Sequence, residues 1–209
     1  MSQKMNKKCV ILGAGGFGKE LFALLKDSGN YEILGFIDAL PQKDNRLNIL
    51  GDDQFLVDHK GSFELIFFAL GKMALRLPVY QKLTGAGISF TTFIHSSAVI
   101  SSDAQIEQGC IIYPHTTVHS RAMISENVML NSNISIGHET RLGRNTVVAP
   151  GVSIGGRVEI GENVYIGMGA NIIEDLKIAS GTVIGAGAVV IRDIVESGTY
   201  IGVPAKKIN

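Results

Sequence analysis

The sequence has no excess of either charge, because 19 Lys and Arg residues balance 19 Asp and Glu residues. Balanced charge gives no strong field for nucleic acid or an anionic membrane, so we expect a small-molecule partner. No apolar run reaches about 18 residues, and no apolar segment that could act as a signal peptide follows the charged start MSQKMNKK. These absences predict a cytoplasmic protein that binds no nucleic acid and does not insert into a membrane.

Cysteine is scarce, and the aromatic residues are unevenly distributed. Cys9 and Cys110 stand alone in apolar segments without the spacing of a metal site, so we expect buried thiols and no metal. All nine Phe residues lie at or before Phe93, whereas the remainder is rich in Ile, Val, Ala, Thr and Gly. This change in composition predicts two domains, residues 1–93 and 94–209.

The second domain is built on a six-residue repeat. Stepping by six from Ile94 to Val190 meets an aliphatic residue every time, and a small or branched residue stands four positions after each. An α-helix cannot place a period of six on one face, whereas a short strand and a turn every six residues can. Three such units close a triangular coil, and coils stack about 4.8 Å apart. Gly137 and Gly143, among others, directly follow the aliphatic position, where we expect tight corners.

The first domain alternates strands and helices. Apolar segments predict strands over residues 8–13, 32–37, 65–69 and 88–93, and helices over residues 17–27 and 73–84. This alternation predicts a parallel sheet.

A glycine turn, ILGAGGFG, joins the first strand to the first helix, and Gly13, Gly15 and Gly18 have G-x-G-x-x-G spacing. Asp38 follows at the distance where a dinucleotide site places its ribose-binding carboxylate. About 90 residues supply only one mononucleotide-binding half, so a nucleoside diphosphate sugar fits better than NAD. We expect the backbone at Gly13, Gly15, Gly16 and Gly18 to hold this ligand, with Asp38 on a ribose or base. A purely structural turn is the alternative.

A second loop at the same sheet edge follows the predicted strand 65–69. Gly71 and Lys72 lie in this loop and are candidates for the same ligand. For Lys72 and Arg76, a solvated helix start is an equally good interpretation.

His138 has the most suggestive setting of the five histidines. It follows Ile136 and Gly137, so it lies at a corner of the coil and points outward, and Glu139 comes next. One coil later stands Gly156, which leaves room beside the imidazole and offers an N–H. A base beside an amide donor suits acyl transfer from a thioester, because the base takes the nucleophile's proton and the donor stabilises the oxyanion. Glu139 would orient the imidazole.

The repeat and the tail GVPAKKI, residues 202–208, resemble those of hexapeptide-repeat acyltransferases. With the glycine turn and the aliphatic-Gly-His-Glu coil, residues 8–208 resemble the sialic acid O-acetyltransferase (NeuD) family, which includes PglD-type nucleotide-aminosugar N-acetyltransferases. The resemblance implies a Rossmann-like half domain followed by a left-handed parallel β-helix. It also implies a homotrimer, with acetyl-CoA between neighbouring β-helices.

The same resemblance implies roles for particular residues. His138 would be the general base, Glu139 its partner, and Asn131 part of the acceptor pocket. The residues expected near acetyl-CoA are Gly156, Met168, Gly185 and Lys206. Some members have a His where this chain has Phe17, which cannot hydrogen-bond a substrate amine and so leaves the sugar open. Some have a His where this chain has Val147, which removes one possible polar contact to acetyl-CoA.

We therefore expect acetyl-CoA-dependent N-acetylation of a nucleotide-linked 4-amino sugar, with UDP as the expected nucleotide, in bacterial glycan biosynthesis. O-acetylation of a sialic acid or related sugar is the enzymatic alternative. An NAD-binding oxidoreductase or sensor on a β-helix scaffold is the alternative from another class, and it rests on the glycine spacing alone.

Overall fold

The structure is a computed structural model that describes residues 6–40 and 46–208. The chain divides into two compact units, residues 1–91 and 92–209. The division falls just before Phe93, the last phenylalanine in the sequence.

The first unit is a Rossmann-like parallel sheet with the strand order β3-β2-β1-β4. Its elements are β1 (Lys7–Leu12), α1 (Gly16–Ser28), β2 (Tyr31–Ile37), β3 (Ile49–Gly51), α2 (Asp53–Asp58), β4 (Leu65–Phe68) and α3 (Met73–Gly85). The central strand β1 is buried from Cys9 to Leu12 because it has a neighbour on each side. Its apolar run therefore reads as a buried parallel strand, as the sequence predicts.

The sequence pattern missed β3 and α2. Both are too short for the periodicity of a strand or helix to be visible. A local signal was present, however, because Asp52 caps α2 and its side chain accepts from the N–H groups of Gln54 and Phe55.

The predicted strand 88–93 is wrong. Ile88 and Phe90 are buried, which explains the apolar pattern, but strand structure begins only at Phe93 and belongs to the second unit. The segment meets β4 through Thr91, whose N–H donates to Ile66 O at 2.7 Å and whose hydroxyl accepts from Ile66 N–H at 3.3 Å. In a regular strand ladder, Ile66 N–H would donate to a backbone carbonyl. Here it donates to the Thr91 hydroxyl, so the strand pairing does not continue.

The second unit is a left-handed β-helix of two-residue strands that recur every six residues. These strands are β5 (Phe93–Ile94), β6 (Val99–Ile100), β7 (Gln105–Ile106), β8 (Ile111–Ile112), β9 (Thr117–Val118), β10 (Met123–Ile124), β11 (Met129–Leu130), β12 (Ser135–Ile136), β13 (Arg141–Leu142), β14 (Val147–Val148), β15 (Ser153–Ile154), β16 (Glu159–Ile160), β17 (Tyr165–Ile166), β18 (Asn171–Ile172), β19 (Lys177–Ile178), β20 (Val183–Ile184) and β21 (Val189–Val190). The tail forms β22 (Thr199–Ile201) and β23 (Lys206–Ile208), which pair antiparallel.

The strands form three sheets, which we call face 1 (with β5, β8 and β11), face 2 (with β6, β9 and β12) and face 3 (with β7, β10 and β13). Each corner is named by the faces it joins. Successive strands of a face are one coil apart, so Ser135 lies opposite Ser153 and Ile136 opposite Ile154. Residues 18 apart in the chain therefore form a column.

The predicted aliphatic positions are the second residues of strands β5 to β21, and they fill the interior. Between Ile112 and Val190 none of these side chains is more than 4% exposed. Ile94, in the terminal coil, is 42% exposed because no coil precedes it. Each buried aliphatic stabilises the stack by roughly 1.5–3 kcal/mol.

The corners turn at the third residue after the aliphatic position. From Gly109 to Gly187 this residue is left-handed, with φ between 54° and 73°. In one column of these turns the side chains of three Asn residues also join successive coils: Asn127 Nδ2 donates to Asn145 Oδ1 at 2.8 Å, and Asn145 Nδ2 donates to Asn163 Oδ1 at 2.7 Å.

The glycines directly after the aliphatic position do not form the tight corners that the sequence predicted. A Cβ on Gly143 would lie 2.5 Å from the carbonyl carbon of Gly161 in the next coil, and a Cβ on Gly137 would overlap the backbone of Gly155. These glycines let coils approach each other, whereas the left-handed turn lies two residues later.

Gly143→Ala should therefore lower the free energy of unfolding by about 1–3 kcal/mol, the usual cost of overpacking. Gly151→Asn is the control, because position 151 is an exposed left-handed turn and Asn occupies the equivalent turn at position 163. We expect the control to change stability by less than about 0.5 kcal/mol. Urea unfolding measures both, and equal effects would contradict the assignment of these glycines to coil contacts.

Candidate functional site

A pocket of about 880 Å³ opens in the first unit where β1, β2 and β4 end. Ligands of open α/β sheets bind at this edge. Apolar side chains such as Leu12, Ile37, Leu70 and Val79 form much of its wall. The sequence-predicted residues that line it are Gly13, Gly15, Gly16, Asp38, Gly71 and Lys72.

The glycines of the turn have separate functions. Gly13 has a φ of 107°, and a Cβ there would lie 2.9 Å from Ala69 O. A Cβ on Gly18 would overlap Gly13 O, so Gly18 allows α1 to begin against the end of β1. Gly18 itself is buried and does not line the pocket, contrary to the sequence prediction. Nothing lies within 4 Å of a Cβ built on Gly15 or Gly16. These two exposed glycines at the start of α1 leave their backbone open to a ligand.

Asp38 fixes the glycine turn as well as lining the pocket. Its Oδ2 accepts from Ala14 N–H at 2.8 Å, and its Oδ1 accepts from Leu40 N–H at 2.9 Å. The carboxylate thus joins the end of β2 to the turn after β1. The sequence spacing identified the position but not this second role.

Arg76 holds the other loop of the pocket from inside the unit. Its side chain is buried, its Nη1 donates to Leu70 O at 2.6 Å, and its guanidinium carbon lies 5.2 Å from the centre of the Phe68 ring. Arg76 is therefore not a solvated residue at a helix start, and it does not line the pocket. Helical periodicity gives no sign that a charged residue is buried, so the sequence did not reveal this role.

Phe17 packs beside the loop that Arg76 holds. A Cβ on Gly71 would overlap the Phe17 ring, so Gly71 provides the space in which the ring lies.

The pocket wall also carries the carboxylates of Glu20, Asp38 and Asp53, together with the basic side chain of Lys72. Carboxylates accept hydrogen bonds from hydroxyl, amide and amine groups. Phosphates would instead meet the α1 N-terminus and Lys72.

His138 lies at the face 2–face 3 corner of the β-helix. Its Nδ1 is 3.2 Å from Glu139 Oε2, and its side chain is 50% exposed. The imidazole rests directly against Gly156, because a Cβ built there would lie 2.5 Å from His138 Nε2. This is the column position that the six-residue repeat predicts for Gly156. An ionised carboxylate only accepts, so this contact favours the neutral ring with its proton on Nδ1 and a lone pair on Nε2.

The amide of Gly156 differs from those of its neighbours. Gly155 N–H donates to Ile172 O at 2.8 Å, and Arg157 N–H donates to His138 O at 2.8 Å. Among the described residues, no backbone hydrogen bond is assigned to Gly156 N–H. The corner therefore presents an imidazole beside an amide donor, the two groups that acyl transfer requires.

Two ion pairs flank the imidazole. Arg121 Nη2 lies 3.0 Å from Glu139 Oε1. Arg157 donates two hydrogen bonds to Asp175, at 2.6 and 2.7 Å, and these bonds raise the pKa of the guanidinium and lower the pKa of the carboxyl. Arg157 Nη1 also lies 3.5 Å from His138 Nε2. Sequence analysis missed Arg121, Arg157 and Asp175, although all three stand a multiple of 18 residues from Glu139.

The residues expected near acetyl-CoA do not form one cluster within a single chain. Met168 and Gly185 lie at the face 1–face 2 corner, whereas Gly156 lies at the face 2–face 3 corner with His138. Met168 is 60% exposed, and Lys206 is exposed on β23.

Asn131 also lies at the face 1–face 2 corner, and the structure turns its side chain inward. It is 3% exposed, and its Nδ2 donates to Val148 O at 2.8 Å. Val147 is fully buried as well. Within one chain, Asn131 therefore stabilises the corner and does not line an open pocket, because its amide satisfies a backbone carbonyl.

The described residues include no helix that could cross a membrane. They also bring together no group of three or more His, Cys, Asp or Glu side chains suited to a metal.

Family models match most of the sequence. The PglD N-terminal domain matches residues 8–83, the GlmU-like C-terminal hexapeptide matches residues 79–168, and the bacterial transferase hexapeptide (six repeats) matches residues 157–192. No curated protein matches the chain.

The chain is similar over nearly its whole length to several solved structures, including these three. A histidine mutant of perosamine N-acetyltransferase from Caulobacter crescentus, in complex with CoA and GDP-perosamine, is 29% identical with a TM-score of 0.90, and the match covers 97% of each chain. The acetyltransferase domain of PglB from Neisseria gonorrhoeae, in complex with acetyl coenzyme A, is 29% identical with a TM-score of 0.89 over 98% of this chain and 100% of that one. WeeI from Acinetobacter baumannii is 25% identical with a TM-score of 0.85, over 96% of this chain and 99% of that one.

Gly156→Ala should displace the imidazole of His138, because the new methyl group would occupy space within 2.5 Å of Nε2. A side chain can move more cheaply than a coil, so we expect the fold to persist. A crystal structure of the variant should show Nδ1 separated from Glu139 by more than 3.2 Å. Ser153→Ala, an exposed change in the same coil, is the control. An imidazole left in place would contradict the close packing described above.

Proposed function

We propose that this chain, a PglD-like hexapeptide-repeat acyltransferase that uses acetyl-CoA, transfers the acetyl group to the amino group of a nucleotide-linked sugar. The observation that carries the proposal is His138, whose half-exposed imidazole places Nε2 beside Gly156 while Nδ1 contacts Glu139. The similar structures with CoA, acetyl-CoA and GDP-perosamine support it. The matches reported above do not include a NeuD protein, so that narrower assignment stays a prediction.

His138 acts as the general base in this proposal. As the amine nitrogen of the acceptor bonds to the acetyl carbon, Nε2 takes the proton of the amine. Gly156 N–H donates to the oxyanion that forms, and Glu139 stabilises the imidazolium. When the carbon–sulfur bond breaks, the proton passes to the thiolate of CoA. The products are the N-acetylated sugar nucleotide and free CoA.

The acceptor's nucleotide binds in the pocket of the first unit. The open backbone at Gly15 and Gly16 and the positive end of α1 suit its phosphates. The carboxylates of Glu20 and Asp53 suit groups that donate hydrogen bonds, such as ribose hydroxyls or a base. UDP remains the expected nucleotide from the sequence, and GDP is the nucleotide bound by one similar protein.

A homotrimer in the cytoplasm completes the proposal. The acetyl-CoA residues lie at two corners of one β-helix, so neighbouring chains would bring Met168 and Gly185 of one chain toward His138 of the next. Both substrates are cytoplasmic metabolites, which agrees with the location expected from the sequence. The NAD alternative rests on the glycine spacing alone, whereas the proposed catalytic geometry lies in the β-helix.

Release of the CoA thiol tests the activity directly. Acetyl-CoA is supplied with UDP-, GDP- and dTDP-linked 4-amino sugars and, separately, with free sialic acid. We expect turnover with an amino sugar and a loss of about 10²- to 10⁴-fold in kcat for His138→Ala. His59→Gln, an exposed histidine stacked on Phe55, is the control. Full activity of the His138 variant would refute the mechanism, and turnover of sialic acid alone would support O-acetylation.

Gly16→Ala tests the binding of the acceptor at the glycine turn. The fold should tolerate the methyl group, because nothing lies within 4 Å of it. A phosphate held close to this backbone would meet the methyl group, so we expect the acceptor KM to rise about tenfold, or about 1.4 kcal/mol, with an unchanged KM for acetyl-CoA. Gly61→Ala, equally open and outside the pocket wall, is the control. An unchanged acceptor KM would exclude the turn as the phosphate site.

A further inference from the structure

Charged residues of alternating sign form a column along the face 2–face 3 corner. Arg121, Glu139, Arg157 and Asp175 occupy successive left-handed turn positions, with φ between 56° and 62°. Because one coil separates each from the next, their side chains stack in order along the corner. Arg121 pairs with Glu139, and Arg157 pairs with Asp175. His138 belongs to the adjacent column, and its imidazole contacts Glu139 through Nδ1 and Arg157 through Nε2.

The two neighbours of the imidazole have fixed hydrogen-bond roles. Glu139 lies 3.2 Å from Nδ1 and, when ionised, only accepts. Arg157 lies 3.5 Å from Nε2 and only donates. Both contacts are compatible with one neutral form of the ring, in which Nδ1 carries the proton and Nε2 carries the lone pair. The second contact is long, so an incoming amine can displace it.

Asp175 determines where the guanidinium of Arg157 lies. It accepts from Nε and Nη2, at 2.6 and 2.7 Å, which leaves Nη1 directed at His138. A two-bond pair of this kind fixes the plane of a guanidinium as well as its distance. The two side chains are 46% and 58% exposed, and exposed ion pairs contribute little to stability. Removing this pair should therefore leave the fold intact.

We propose that Arg157, anchored by Asp175, is a positioning residue that holds His138 in the neutral form with the proton on Nδ1 and the lone pair on Nε2. Glu139 acts on one ring nitrogen and Arg157 on the other, so the ring is restrained from both sides. The role in turnover rests on the proposed function, because only acetyl transfer gives the Nε2 lone pair a proton to take. The restraint on the ring itself exists in the free protein and can be measured there.

The experiment compares Arg157→Asn, Asp175→Gly and the double variant with the unaltered protein. Asn and Gly already occupy this turn position at Asn163 and Gly169, so neither change strains the backbone. Arg144→Ala is the matched control: it breaks another exposed pair between coils, Arg144 with Glu162 at 2.9 Å, that has no contact with His138 assigned. For each protein, 15N NMR of the histidine ring is recorded without substrates, and kcat and both KM values are measured with the best acceptor.

We expect the unaltered protein to show neutral His138 protonated at Nδ1, and Arg157→Asn to populate the form protonated at Nε2. We expect kcat to fall about tenfold, less than the 10²- to 10⁴-fold attributed to the base itself, with KM values changed less than twofold. Asp175→Gly should act in the same direction, and the double variant should be no worse than Arg157→Asn, because Asp175 acts through Arg157. Arg144→Ala should change neither the ring signals of His138 nor kcat.

Three results would overturn the proposal. One is neutral His138 protonated at Nε2 in the unaltered protein. Another is Arg157→Asn with unchanged ring signals, since a loss of kcat alone would then indicate direct contact of Arg157 with a substrate. The third is an equal loss in Arg144→Ala. If no acceptor is acetylated by any of the proteins, the proposed function fails, and the ring signals alone decide whether Arg157 positions His138.

Discussion

The backbone hydrogen bonds between successive coils are the constraint on which the β-helix and its candidate site depend. Gly137 N–H donates to Ile154 O, and Gly155 N–H donates to Ile172 O, so the chain advances by one coil without a change of register. An aliphatic residue at every sixth position keeps this register, because a slip would place it at a corner. The register then fixes which residue lies against His138. Gly156 supplies space and an amide there, and the side chain of a larger residue would fill that space.

The first unit depends on a different constraint, the close approach of backbone to backbone at the glycine turn. Gly18 has no room for a side chain, and the carboxylate of Asp38 binds Ala14 N–H across the turn. These contacts hold the start of α1 at the sheet edge and leave Gly15 and Gly16 open. Arg76 fixes the opposite loop from a buried position. The pocket thus lies between two loops that polar side chains, Asp38 and Arg76, hold in place.

Periodicity explains what could be predicted from the sequence. A strict six-residue repeat is sufficient to locate each strand of the β-helix and to place Gly156 beside His138. The roles that could not be predicted are those that depend on where a long side chain points. Arg76 turns into the core and Arg157 toward an imidazole, and no spacing rule encodes either direction. The sequence predicted the corner position of Asn131 correctly, but it did not predict that the side-chain amide points inward. β3 and α2 were missed because they are shorter than the patterns used to find them.

The central claim is that the amino group of a nucleotide-linked sugar reaches His138 while the CoA thioester reaches Gly156. A crystal structure of the protein with CoA and an amino-sugar nucleotide measures this directly. We predict the sugar nitrogen at about 2.6–3.2 Å from His138 Nε2, the reach of a general base, with the sulfur of CoA beside Gly156. A sugar amine held well beyond hydrogen-bond reach of Nε2, or a CoA sulfur at another corner, would contradict it.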